Sequence, residues 1–102
     1  MKQWEEVYCL LKRKTRKIIE GYLRQYKKNL EENQKWNEII EKRLNELNEE
    51  EIKLIKMRYF ERKSINFITY ELYMSRGKYF SMVNDILTEI ALDAAYNHLL
   101  KR

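Results

Sequence analysis

Apolar residues recur every three to four positions along most of the chain, which is the spacing of one face of an α-helix. They predict one long amphipathic helix over residues 3–31 and a second helix over residues 35–47. The pattern leaves open whether the chain turns sharply between residues 29 and 35 or continues as helix. Gly21 interrupts the first helix at a cost of about 1 kcal/mol relative to alanine. It either permits the close approach of a neighbouring helix or marks a bend.

Polar residues at helix-start positions divide the second half of the chain. Asn48 stands three positions before Glu51, which is the spacing of a capping box, and predicts a helix over residues 49–61. Ser64 predicts the N-terminus of a short helix over residues 65–73. The sequence therefore predicts two helices in close succession after residue 48.

A last helix is predicted to begin at Arg76, because Ser75 can cap it and Met74 lies in the turn before it. The residues predicted to face inward from this helix are Tyr79, Val83, Ile86, Leu87, Ile90 and Ala94. The chain of 102 residues contains no proline and only two glycines, a composition that favours continuous helix. We predict an all-α fold with an N-terminal helical arm or hairpin, residues 1–46, followed by a helix-turn-helix domain, residues 47–102.

The charge is distributed unevenly along the chain. Residues 1–30 carry a net charge of +6, residues 31–51 of −5 and residues 52–102 of +4. Basic segments commonly bind nucleic acid, although a solvated helical face has the same composition. The basic run at residues 12–17 is therefore either a solvated face or an arm that contacts phosphates.

The sequence lacks the signals that are typical of several functional classes. No apolar run approaches the ~20 residues that cross a bilayer, and the N-terminus does not resemble a signal peptide. Cys9 is the only cysteine, which fits a reducing cytoplasm, and His98 has no neighbour at metal-ligand spacing. We find no catalytic constellation and no phosphate-binding glycine loop. The sequence thus predicts a cytoplasmic protein that is not an enzyme, with no cofactor and no metal site.

Residues 49–90 have the layout of a helix-turn-helix, whose second helix enters the major groove of DNA. On that helix, Arg76 can donate two hydrogen bonds to guanine, Asn84 can pair with adenine, and Phe80 can contact a thymine methyl group. Gly77 lets the backbone approach the duplex. The full set of predicted DNA-binding residues is Lys63, Ser64, Ser75, Arg76, Gly77, Lys78, Phe80, Ser81 and Asn84.

Two segments carry a resemblance to a known family. Residues 47–61 (LNEEEIKLIKMRYFE) resemble the opening of region 4 of the sigma-70 class, and together with residues 75–80 (SRGKYF) they resemble phage transcriptional regulators of the ArpU and RinA type. The resemblance implies sequence-specific DNA binding and activation of phage genes with host RNA polymerase. It assigns base or backbone contacts to Arg76, Lys78, Phe80 and Ser81. The chain departs from the family pattern at Tyr73, where the turn usually has glycine.

We therefore predict a regulator that binds double-stranded DNA. The alternatives are a phage small terminase subunit and a helical protein-interaction module that does not bind DNA. We also predict a homodimer, because the apolar stripe of the N-terminal helix is long for so small a domain and exposed apolar patches usually mark interfaces. The stripe consists of Trp4, Val7, Tyr8, Leu11, Ile18, Tyr22 and Tyr26. Alternatively, residues 35–47 fold back and cover this stripe within one chain.

Overall fold

The computed structural model describes residues 13–26 and 33–99, and within these ranges the chain is helical without strands. The elements are, in chain order, α1 (Arg13–Arg24), α2 (Gln34–Glu46), α3 (Glu49–Ile55), a π-helical turn that continues α3 (Lys56–Phe60), α4 (Ile65–Glu71) and α5 (Arg76–Tyr96). The predicted all-α fold class is confirmed.

Side-chain caps start the helices of the second half at the predicted positions. Asn48 and Glu51 form a reciprocal capping box, in which each side chain accepts a 2.9 Å hydrogen bond from the other residue's backbone N–H. The hydroxyl of Ser64 accepts a 3.1 Å hydrogen bond from the backbone N–H of Phe67, and Ser75 caps α5 in the same way. Each cap satisfies an N–H that has no acceptor within its helix.

The long first helix predicted over residues 3–31 is wrong at its C-terminal end. α1 ends at Arg24 and a turn follows, so Tyr26 is not helical. α2 packs against α1, with the rings of Tyr22 and Trp36 stacked at a centroid distance of 4.3 Å. The chain thus folds back between α1 and α2, because pairing the two apolar faces removes both from water. Residues 1–12 and 27–32 lie outside the described ranges.

The core is built around α5. All six residues predicted to face inward from this helix are buried, and Ala91 is buried with them. Helices α1, α2 and α4 all pack against α5. Buried side chains from both sides of the predicted boundary at residue 46, such as Ile19, Ile40 and Leu54, belong to one hydrophobic core.

Two polar contacts join distant helices at the edge of this core. The hydroxyl of Tyr59, in the π-helical turn, donates a 2.7 Å hydrogen bond to Glu20 of α1. Burial, and then this hydrogen bond, raise the pKa of Tyr59 far above its usual value. The guanidinium of Arg43, on α2, contacts Asp93 of α5 at 2.7 Å. Both contacts set how the N-terminal helices lie against the rest of the protein.

Three helical segments end with a non-glycine residue in the left-handed conformation: Arg62, Tyr73 and His98, with φ angles of 56°, 52° and 59°. At the end of α4 this geometry forms a Schellman motif, in which the backbone N–H of Met74 bonds to Thr69 O at 3.0 Å and that of Tyr73 to Tyr70 O at 3.3 Å. Tyr73 therefore occupies the position that glycine usually takes in such a turn.

We predict that Gly21→Ala stabilises the protein. Among residues 13–26 and 33–99, no atom outside the backbone of α1 itself lies within 4 Å of a Cβ built at position 21, and Gly21 does not have a positive φ. The substitution should raise the free energy of unfolding by about 0.5–1 kcal/mol because it lowers the backbone entropy of the unfolded chain. Urea denaturation followed by circular dichroism measures this. A loss of stability would show that Gly21 is required for a close contact or a bend.

We also predict that Tyr73→Gly stabilises the protein, by about 1 kcal/mol. Glycine adopts the left-handed conformation without the penalty that a Cβ brings, and Tyr73 is 95 % exposed, so little packing is lost. Tyr73→Ala is the matched control, because it removes the ring but keeps the Cβ. Equal unfolding midpoints for the glycine and alanine variants would contradict this explanation.

Candidate nucleic-acid interface

The first turn of α5 is exposed and begins at a well-formed N-cap. The hydroxyl of Ser75 accepts a 3.0 Å hydrogen bond from the backbone N–H of Lys78, and residues 75–78 are all exposed. The positive end of the helix dipole and the first-turn N–H groups therefore face solvent. This arrangement attracts anions such as a backbone phosphate.

Arg76 is held in place at this end of the helix by two neighbours. Its Nη1 donates a 2.7 Å hydrogen bond to Oδ1 of Asn66, on α4, and its Cζ lies 5.8 Å from the ring centroid of Phe80. The side chain is exposed, and a guanidinium has further N–H donors that can bind a ligand. The contact with Asn66 also brings the first turns of α4 and α5 together. Sequence reasoning did not identify this contact, because the two residues are on different helices.

The adjacent aromatic pair divides between core and surface as the sequence predicts. Tyr79 is buried, whereas Phe80 is 41 % exposed and meets Tyr79 edge to face at a centroid distance of 5.2 Å. Burial raises the pKa of Tyr79, so its hydroxyl remains neutral. Gly77 and Ser81 are exposed beside Phe80. Within the described part of the chain, the Ser75 hydroxyl, at 3.9 Å, is the one atom outside the α5 backbone that a Cβ at Gly77 would contact. An incoming surface can therefore reach the backbone at Gly77.

Lys78 forms an ion pair in the unbound protein. Its Nζ lies 3.3 Å from Oε1 of Glu50 on α3, and the two side chains are 55 % and 41 % exposed. Exposed pairs of this kind contribute only about 0–1 kcal/mol. A phosphate can therefore displace Glu50 at little energetic cost.

Asn84 does not lie on the free face, which corrects the sequence-based assignment. It is half-buried, and its Oδ1 accepts a hydrogen bond from Nη2 of Arg16 on α1. The reason is tertiary, because α1 packs against α5 at this level. The exposed residues among those predicted to contact DNA from α5 consequently run only from Arg76 to Ser81.

Lys63 and Ser64 lie at the start of α4. The Ser64 hydroxyl is engaged as the helix cap, and Nζ of Lys63 lies 5.2 Å from the ring centroid of Phe67. Lys63, Ser64 and Phe67 are all exposed. Sequence reasoning did not identify Phe67, which is exposed and lies beside the ammonium group of Lys63.

The residues assigned to a dimer interface separate into three groups. Tyr22 and Tyr26 are half-buried within the chain, where they stack on Trp36 and Phe60. Ile18 is 41 % exposed. The remaining residues, Trp4, Val7, Tyr8 and Leu11, lie outside the described ranges. α2 therefore covers part of the apolar stripe within one chain, as the alternative predicted, and homodimer formation stays a prediction.

Within residues 13–26 and 33–99, no group of three or more His, Cys, Asp or Glu side chains could hold a metal ion. None of the helices there has the length and apolar character that a membrane span requires.

Comparison with known proteins adds no relative to this picture: no family model matches the chain, and neither does any curated protein or solved structure. The resemblance to phage regulators and to sigma-70 region 4 therefore remains a prediction from residues 47–61 and 75–80.

Proposed function

We propose that this chain is a transcriptional regulator that binds double-stranded DNA through the first two turns of α5. The observation that carries the proposal is the placement of Arg76, which Asn66 and Phe80 hold at the exposed N-terminus of the helix. An arginine in this position can donate two hydrogen bonds to a guanine in the major groove. Phe80 lies beside it, where it can contact a thymine methyl group.

Contacts with the phosphate backbone would surround this reading face. The capped N-terminus of α5 can bind one phosphate, and the exposed cations Lys63 and Lys78 can bind others. The basic end of α1 approaches the same helix, since Arg16 contacts Asn84. This contact supports a phosphate-binding role for the exposed Lys14 and Lys17.

The finer parts of the proposal that rest on the resemblance alone are activation of phage or mobile-element genes and cooperation with host RNA polymerase. A homodimer that presents two reading helices to a palindromic site rests instead on the length of the apolar stripe in the N-terminal helix. The all-helical fold is consistent with these finer parts of the proposal.

DNA binding should depend strongly on salt. If about six phosphates are contacted, the slope of log K against log salt concentration should be near −5, because each contact releases a counterion. Fluorescence anisotropy with a labelled random-sequence duplex between low and physiological salt measures the slope. A slope near zero, or no binding at low salt, would contradict the proposal.

Arg76→Ala should lower affinity for a selected specific duplex by about 1–3 kcal/mol and affinity for random duplex by less. The specific site is obtained by selection from a random duplex pool with the unaltered protein. Lys42→Ala is the control, because it removes an exposed cation from α2, none of whose residues belongs to the proposed reading face.

The relative size of the two losses identifies the role of Arg76. Equal losses on both duplexes would make it a phosphate contact rather than a base contact. No loss on either duplex would show that α5 does not read DNA through this residue.

A further inference from the structure

A groove of about 620 Å³ opens between α2 and the segment formed by α3 and the π-helical turn. Leu44, Ile52 and Phe60 supply apolar surface to it, and three cations, Arg24, Lys56 and Arg62, also line it. We call it the α2–α3 groove. None of these residues belongs to the proposed reading face of α5.

The charge of the groove is predominantly positive. Glu41 is the one carboxylate among its described lining residues, beside the three cations. All three cations are exposed, and the ion pairs in the described part of the chain engage Arg43 and Lys78 instead. These positive charges are therefore available to a ligand that carries several negative charges.

The groove and the reading face lie on different sides of α3. Glu50 faces α5, where it pairs with Lys78. Ile52, which lines the groove, follows Glu50 by two residues, and this separation is about 200° around the helix axis at 3.6 residues per turn. A ligand in the groove would thus leave the N-terminus of α5 accessible.

We propose that the α2–α3 groove binds an acidic amphipathic peptide segment of a partner protein. Apolar side chains of the segment would pack against Leu44, Ile52 and Phe60, while its carboxylates would pair with Arg24, Lys56 and Arg62. A segment with apolar residues on one face and acidic residues on the other complements an apolar groove with a positive rim. This inference goes beyond the proposed function and does not depend on it.

The test uses the full chain and a fluorescein-labelled synthetic peptide made of Asp, Glu, Leu and Phe, with apolar residues every three to four positions. Anisotropy should show saturable binding that Lys56→Glu and Arg62→Glu each weaken about tenfold. Lys53→Glu is the matched control, since it makes the same charge change on α3 at an exposed residue that does not line the groove. Circular dichroism verifies that each variant is folded.

Two companion peptides separate charge from apolar contact. Replacing the acidic residues by Lys, or the apolar residues by Ser, should abolish binding. Absence of saturable binding of the acidic peptide up to about 1 mM, or equal weakening by Lys53→Glu and Lys56→Glu, would overturn the proposal.

Binding of duplex DNA to the same variants separates this site from the proposed DNA interface. We expect Lys56→Glu to weaken peptide binding much more than duplex binding. Loss of duplex binding with unchanged peptide binding would assign the groove cations to DNA and overturn the proposal. A protein that binds the peptide but no duplex would support the groove while refuting the proposed function.

Discussion

The apolar stripe of α5 is the constraint on which the rest of the structure depends. It is buried from Tyr79 to Ala94, and α1, α2 and α4 all pack against it. A chain of 102 residues can bury only a limited share of its surface, so one shared core stabilises it better than two smaller ones. The two predicted regions, residues 1–46 and residues 47–102, therefore share one core around this helix.

This shared core also defines which part of α5 can meet a ligand. The contact of α1 with α5 at Asn84 covers part of the outer face of the helix towards its middle, and the apolar stripe occupies the opposite face. The N-terminal turns remain exposed beside α4, which is short and accepts a hydrogen bond from Arg76 at Asn66. The same packing that stabilises the protein thus leaves the proposed reading face exposed, with Arg76 bonded to Asn66.

The π-helical turn has a comparable effect on the other side of the molecule. Its extra residue per turn places Tyr59 in the core, where its hydroxyl reaches Glu20, and leaves Phe60 to stack on Tyr26. Lys56 and Phe60, at the two ends of this turn, both line the α2–α3 groove. A regular hydrophobic repeat does not reveal such a turn, because the contacts of its residues with α1 join positions far apart in the sequence.

Local patterns in the sequence determined the helical class, the caps at Asn48, Ser64 and Ser75, and the inward face of α5. These features depend on residues that are three to four positions apart in the sequence, so the sequence alone is enough to identify them. Tertiary structure alone decided the end of α1, the burial of Tyr22 under Trp36 and the withdrawal of Asn84 from the exposed face. Each of these depends on a partner on another helix, and for Asn84 that partner, Arg16, is 68 positions away. Periodicity shows that a face is apolar or polar, but only packing determines what lies against it.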